Sequence, residues 1–218
     1  MSCLTSAARA PLAKKSSTLS LSTSLHSRAH RFLGGRQCAS VLRATDDDQH
    51  SQAGIALQCA EAVVRNAATT QKVSYKDIVS ALNLLRSENR SSISEHDVQG
   101  KWKFVFSTMS AINFPGLEYI PFKEVWDCNT YTQASTLQSN IPLGIVPKFT
   151  GSCSWQADQT VDFHFTKMDL RIFSKNVLDR KEVNFPPSQY SFFYMSSDKS
   201  VIVGCNNKGA VTLMVRTE

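Results

Sequence analysis

The chain has 218 residues, 42% of them hydrophobic and 19% charged, which is enough for one well-cored domain with appendages, and no apolar run is long enough to span a bilayer as a helix. The formal charge is +6 and the pI about 9.1, but the excess sits at one end, because Arg9, Lys14, Lys15, Arg28, Arg31, Arg36 and Arg43 all precede the first acidic residue, Asp46. From Asp46 onward 17 basic residues face 18 acidic ones, so charge lends no support to a nucleic-acid partner, which requires clustered cations on the folded domain.

Residues 1–45 are rich in Ser, Thr, Ala and Arg and contain no carboxylate, with a hydroxylated stretch from Ser16 to Ser24. That composition reads as an organelle transit peptide, and the absence of an unbroken apolar segment excludes a secretory signal. The Ser/Thr weight and the Met1-Ser2 start favour a plastid address, and Val41-Leu42-Arg43-Ala44 is similar to a stromal processing site. Cys3 and Cys38 would leave with this peptide. The remaining Cys59, Cys128, Cys153 and Cys205 form no Cys-x-x-Cys pair and have no His at ligand spacing, so neither a zinc site nor a disulfide scaffold is expected. Cys153 and Cys205 lie in apolar strand patterns and read as small buried residues.

Asp46-Asp47-Asp48 reads as a short acidic linker, followed by two helices that make up a segment of residues 46–97. In the first, Ile55, Ala56, Cys59, Ala60, Val63, Val64 and Ala67 form a wide apolar side opposite Gln58, Glu61 and Arg65. In the second, Ser74 with Asp77 resembles a capping box, and Tyr75, Ile78, Val79, Leu82 and Leu85 recur at helical spacing up to Asn89. Neither polar face is rich in Lys or Arg, as interfacial helices usually are, so packing against the following domain is expected rather than docking on a membrane.

At Gly100 the period changes from 3.6 to two. In Gly100-Lys101-Trp102-Lys103-Phe104-Val105-Phe106-Ser107 the three aromatics fall on one face, as in a half-buried antiparallel strand. Ile112 to Leu117 is an apolar turn, Phe122 to Asn140 holds one or two strands around Val125, Trp126, Tyr131 and Leu137, and Ile141 to Pro147, broken by two prolines and a glycine, suits a rim loop. Phe149, Gly151, Cys153 and Trp155 alternate with polar residues, as do Val161, Phe163 and Phe165 after the turn at Ala157-Asp158-Gln159, so the two segments form a hairpin. The apolar phase slips by one near Lys167, which calls for a bulge. Asn176 to Pro187 reads as a charged loop, and three short strands, starting near Tyr190, Val201 and Val211, close the chain.

About eight short strands without intervening helices argue for a small antiparallel β-barrel over residues 98–218, behind a leader (1–45) and a helical segment (46–97). Such a barrel is just wide enough to be filled by side chains or to hold one small ligand. The expected inner faces carry Trp102, Phe104, Phe106, Trp155, Phe163, Phe165, Tyr190 and Phe192, the candidate ligand-binding residues. Residues 115–119 and 141–147 are the expected rim.

A Gly-x-Trp at the start of the first strand and an arginine ending the last resemble the lipocalin arrangement, in which the arginine lies over the tryptophan and closes one end of the barrel; Gly100, Trp102 and Arg216 occupy those positions. More closely, Leu84-Leu85-Arg86-Ser87-Glu88-Asn89 leading into the Gly100 strand, behind a plastid-type leader, resembles the plastid-lipid-associated proteins, or fibrillins. That resemblance implies a lipocalin-like barrel at plastoglobules or thylakoids that binds carotenoids, quinones or fatty acids. Tyr194 and Asp198 match the family's closing stretch, whereas Ser200 and Val203 stand where its arginines would be, which marks a divergent member.

There is no Gly-x-Ser-x-Gly elbow, phosphate-cradling glycine loop or His-Glu-x-x-His, and no metal or cofactor is expected. Asp162 and His164 lie one alternation apart and would share either the lumen or the outer face. The expectation is a non-catalytic plastid protein, in the stroma or on plastoglobule or thylakoid lipid, that carries a small lipophilic ligand and also has a plastid protein partner. The alternatives are an isomerase- or cyclase-type lipid enzyme, with Asp162 and His164 in the lumen, and an interaction scaffold with a filled barrel.

Overall fold

The structure is a computed structural model, and the residues described are 46–88, 92–109 and 119–217, with side chains from residue 52 onward. The leader and most of the rim expected at residues 115–119 lie outside them. Helix α1 (Asp46–Thr70) takes up the acidic run that the sequence presents as a linker. Helix α2 (Tyr75–Glu88) starts where the capping pattern places it, with the Asp77 amide donating to Ser74 Oγ at 3.3 Å. The short helix α3 (Glu95–Val98) opens on a capping box, in which the Ser94 amide and hydroxyl both donate to the Asp97 carboxylate, at 3.0 and 2.7 Å.

Nine strands follow: β1 (Gly100–Ser107), β2 (Tyr119–Asn129), β3 (Ala134–Asn140), β4 (Ile145–Gln156), β5 (Thr160–Ile172), β6 (Lys175–Glu182), β7 (Ser188–Met195), β8 (Val201–Asn206) and β9 (Val211–Thr217). All pair antiparallel in the order β4-β3-β2-β1-β9-β8-β7-β5-β6, and a further β4–β5 pairing closes eight of them into a barrel that leaves β6 outside the ring. Closure removes the unpaired edges that an open sheet of this size would present.

Strand β6 corrects the expectation of a loop from Asn176 to Pro187. Only Thr160 to Phe163 of β5 pair with β7, so the far half of this long strand offers a free edge, and β6 folds back onto it from Ile172↔Lys175 to Lys167↔Glu182. Because β6 lies outside the ring, most of its side chains are exposed on both faces and no apolar alternation announces it. The phase slip near Lys167 is a bulge: Thr150 pairs with Lys167 but Gly151 pairs with Phe165. A Cβ at Gly151 would collide with the His164 carbonyl, so only glycine admits this approach. Tyr131 lies in the β2–β3 turn, 65% exposed, rather than in a strand.

Two hydrophobic cores share the barrel wall. One is inside, built from Val98, Trp102, Trp126, Cys128, Cys153, Val161, Phe165, Phe192, Ile202 and Met214. The other is outside, where Ala60, Val64 and Ala67 of α1 and Ile78, Ala81, Leu82 and Leu85 of α2 cover Val201, Val203, Cys205, Val211 and Leu213. The apolar helix faces are therefore spent on the barrel, while Ile55 at the start of the stripe is left 53% exposed. The Arg65–Asp198 ion pair at 3.0 Å ties α1 to the β7–β8 turn; as an exposed pair it contributes only about 0–1 kcal/mol.

Phe106 belongs to the outer core, which corrects its assignment to the ligand lining. Phe104 pairs with Met214 and Phe106 with Leu213, so one extra residue is inserted and the strand's phase reverses after Phe104. Phe106 then packs on Tyr75 and Tyr119, with ring centroids 5.9 and 5.8 Å away. Phe106→Ala should cost about 3–5 kcal/mol, as for other buried aromatic truncations. Its signature is faster amide exchange in α2 with the inner barrel amides still protected; loss of protection on the inner strands first would contradict the placement.

Candidate functional site

The two ends of the barrel differ. At one end the segment from Ile93 to Gln99 crosses beneath the strands and is bonded to three turns. The Ile93 amide donates to Gln159 Oε1 at 2.9 Å, Gln99 exchanges hydrogen bonds with Thr130, and Lys199 Nζ lies 2.6 Å from the Asp97 carboxylate. Arg216 completes the closure, with its guanidinium 4.3 Å from the Trp102 ring centroid and donating to the carbonyls of Gln99 (2.8 Å), Lys199 (3.1 Å) and Asp97. Trp102 is fully buried and its indole N–H donates to Val98 O at 2.8 Å. Gly100 adopts φ +103°, which a residue with a side chain rarely does, and so allows the chain to turn from this plug into β1 beneath Arg216.

Above the plug the lumen is filled by rings. Trp126 stacks on Phe192 with centroids 6.4 Å apart, Tyr190 stacks on Phe192 and on Phe163, and Phe165 bridges Phe163 and Phe149. The Trp126 indole donates to Ser135 Oγ at 2.7 Å, which satisfies its polar edge inside the wall. The β3–β4, β5–β6 and β8–β9 connections lie at the opposite end, and along the inner faces Phe104, Leu137, Phe149, Phe163 and Tyr190 are half-buried. Buried and half-buried side chains are interleaved along one apolar lumen, with Trp155 at the β4–β5 turn and Met195 beside the β7–β8 turn half-buried as well.

Of the candidate lining residues, Phe104, Phe163, Phe165, Tyr190 and Phe192 belong to this inner cluster. Trp102 belongs to the closed end and Trp155 sits at the β4–β5 turn, paired with Val161, so neither is at the mouth. Of the expected 141–147 rim, Pro142–Gly144 form a single 3-10 turn at the open end, while β4 begins at Ile145.

Period-two reasoning on aromatics missed a polar group among these rings. Glu124 shares the face of β2 that carries Trp126 and Cys128, and pairs with Phe104 on one side and Ser139 on the other. Ser139 is buried and its hydroxyl donates to Glu124 Oε1 at 3.0 Å. Burial pushes the Glu124 carboxyl above its ordinary value despite that hydrogen bond. Tyr190 Oη lies 3.2 Å from Thr212 Oγ1, and burial raises its phenol too, with the nearby Glu124 adding to the shift. The signal was legible in the spacing, since Glu124 stands two residues before Trp126 on the same strand face.

Asp162 and His164 alternate with inward-facing Phe163 and Phe165, and with Gln133, Ser152, Cys153, Ser154, Phe163 and Pro187 they line a cavity of about 190 Å³ in the wall, where His164 Nε2 is buried without a hydrogen-bond partner. Asp162 accepts a hydrogen bond from Gln189 Nε2 at 2.8 Å. Cys128 and Cys153 meet inside the barrel with their sulfurs 3.7 Å apart, both reduced. The Cys153 sulfur and burial together push the Cys128 thiol up. Among the described residues no group of three metal-ligating side chains converges. No family model matches the chain, and no curated protein matches it.

Two outcomes test the closed end. Trp102→Ala should lower stability by about 3–5 kcal/mol in denaturant titration, and a near-neutral result would contradict its structural role. Partial burial opposes ionisation of Asp97, but hydrogen bonds from Lys199 and Ser94 prevail and hold its carboxyl at about 2, below the ordinary 3.8. Its contribution is therefore complete above about pH 4 and is lost as the pH falls toward 2. Asp97→Asn should flatten the fall in melting temperature over that interval relative to the wild type.

Proposed function

We propose that this is a plastid protein of the fibrillin type that carries a small lipophilic molecule, such as a carotenoid, prenyl quinone or fatty acid, in its barrel without turning it over, at plastoglobules or thylakoids. The observation that carries this reading is the set of inward-facing apolar side chains that remain only half-buried. Phe104, Leu137, Phe149, Phe163 and Tyr190 belong to the inner cluster yet stay half-buried, as expected of a wall that a ligand would complete. A β-barrel of this size and lining is compatible with binding such ligands. The basic, Ser-rich leader supports the plastid address, and the Gly100-Lys101-Trp102 strand with Arg216 supports the lipocalin-like assignment.

A second reading, an interaction scaffold for a membrane-associated plastid enzyme, is favoured by the dense ring packing of the lower lumen. The pair that the sequence offered for the enzymatic alternative, Asp162 and His164, alternates with the lumen-facing Phe163 and Phe165 and so does not share their face.

Native mass spectrometry with lipid extraction, performed on the protein purified from plastids, separates the two. A stoichiometric prenyl quinone, carotenoid or fatty acid is expected. An empty barrel that co-purifies with a protein would replace the carrier with the scaffold.

A further inference from the structure

The Glu124 side chain is costly where it stands. A carboxyl group on the strand face that carries Trp126, paired with Phe104 and Ser139, is half-buried, and one serine hydroxyl does not replace all the hydration that it loses. Its Oε1 accepts from Ser139, while Oε2 has no hydrogen-bond partner among the described residues and is not a fully buried atom, so it meets the solvent that a ligand head would displace. No Lys or Arg is within ion-pairing distance of it among the described residues. The Tyr190–Thr212 hydroxyl pair, on the strands across the lumen, presents a second polar spot. A closed core would place Leu or Ile at such a position; a lumen that receives a polar head would place an acceptor there.

We propose that Glu124, with Ser139 beside it and the Tyr190–Thr212 pair opposite, is the head-group site of the barrel, and that it selects amphipathic ligands whose head donates hydrogen bonds, a hydroxyl or an amine, over ligands with an anionic head. This rests on the carrier reading above and narrows it. A hydroxyl or ammonium head satisfies the open carboxylate oxygen, whereas a carboxylate or sulfonate head faces like charge in a medium that screens it poorly. Within the ligand classes named above, ring hydroxyls of a xanthophyll or a quinol fit, and the ionised fatty acid is disfavoured. The hydrocarbon part lies against Phe104, Leu137 and Phe149 of the inner cluster.

The test uses the full-length chain at pH 8 and an uncharged reporter, N-phenyl-1-naphthylamine, which fluoresces in apolar sites. Reporter bound in the barrel is displaced with dodecan-1-ol, dodecylammonium or dodecane-1-sulfonate, which share a tail and differ in the head. The alcohol and the ammonium are expected to compete at about tenfold lower concentration than the sulfonate, a difference of about 1.4 kcal/mol. Glu124→Gln keeps the shape and removes the charge, and should bring the sulfonate to within about threefold of the alcohol, roughly 0.65 kcal/mol. Equal competition by the sulfonate in the wild type overturns the proposal, whether or not the variant folds. So does an unchanged preference in a variant that melts cooperatively. Either result leaves the carrier reading intact, whereas failure of the wild type to take up the reporter overturns both.

Discussion

The contact of Arg216 with Trp102 is the constraint on which the remainder depends. A tryptophan at the start of β1 can be fully buried only if something covers the end of the barrel, and the guanidinium does so while donating to the carbonyls of Asp97, Gln99 and Lys199. Those carbonyls belong to the segment entering the barrel and to the β7–β8 turn, so one side chain ties the first strand, the last strand and the plug together. The plug needs Gly100 at a positive φ to pass beneath the arginine, and it needs Asp97 ionised to hold Lys199. A charged residue on an aromatic face contributes about 0.5–1 kcal/mol at an open surface and about 2 kcal/mol when desolvated.

Sealing one end makes the lumen directional. The inner rings are fixed by mutual stacking, and several of them, Phe163 and Tyr190 included, retain contact with solvent. The helices leave this axis free, because they lie on the outer wall over β1, β7, β8 and β9. Their apolar stripes resemble those of membrane-surface helices in sequence, but in the fold they are covered by Phe106, Tyr194 and Leu213.

The inner surface also combines polar and apolar groups in separate places. Ser135 satisfies the Trp126 indole and Thr212 meets the Tyr190 phenol, so both amphipathic rings have partners. Glu124 differs, since it has a single donor and lies where burial raises its carboxyl.

The sequence by itself determined the barrel, the position of its first strand, the start of α2 and the identities of the closing pair, because these rest on local periodicity, capping and a short motif. Even the bulge near Lys167 was visible, as a slip in apolar phase. The tertiary structure alone decided which face each residue reached beyond a bulge that no phase slip announced. Phe106 repeats the spacing of Trp102 and Phe104, yet the inserted residue before it turns it onto the helices. Strand β6 was hidden because a strand exposed on both faces needs no alternation, and its partner edge exists only once β5 has outrun β7. Glu124 was overlooked for the complementary reason: a carboxyl reads as an outward residue until ring closure places its strand face inside, and closure depends on pairing β4 with β5, which no local window contains.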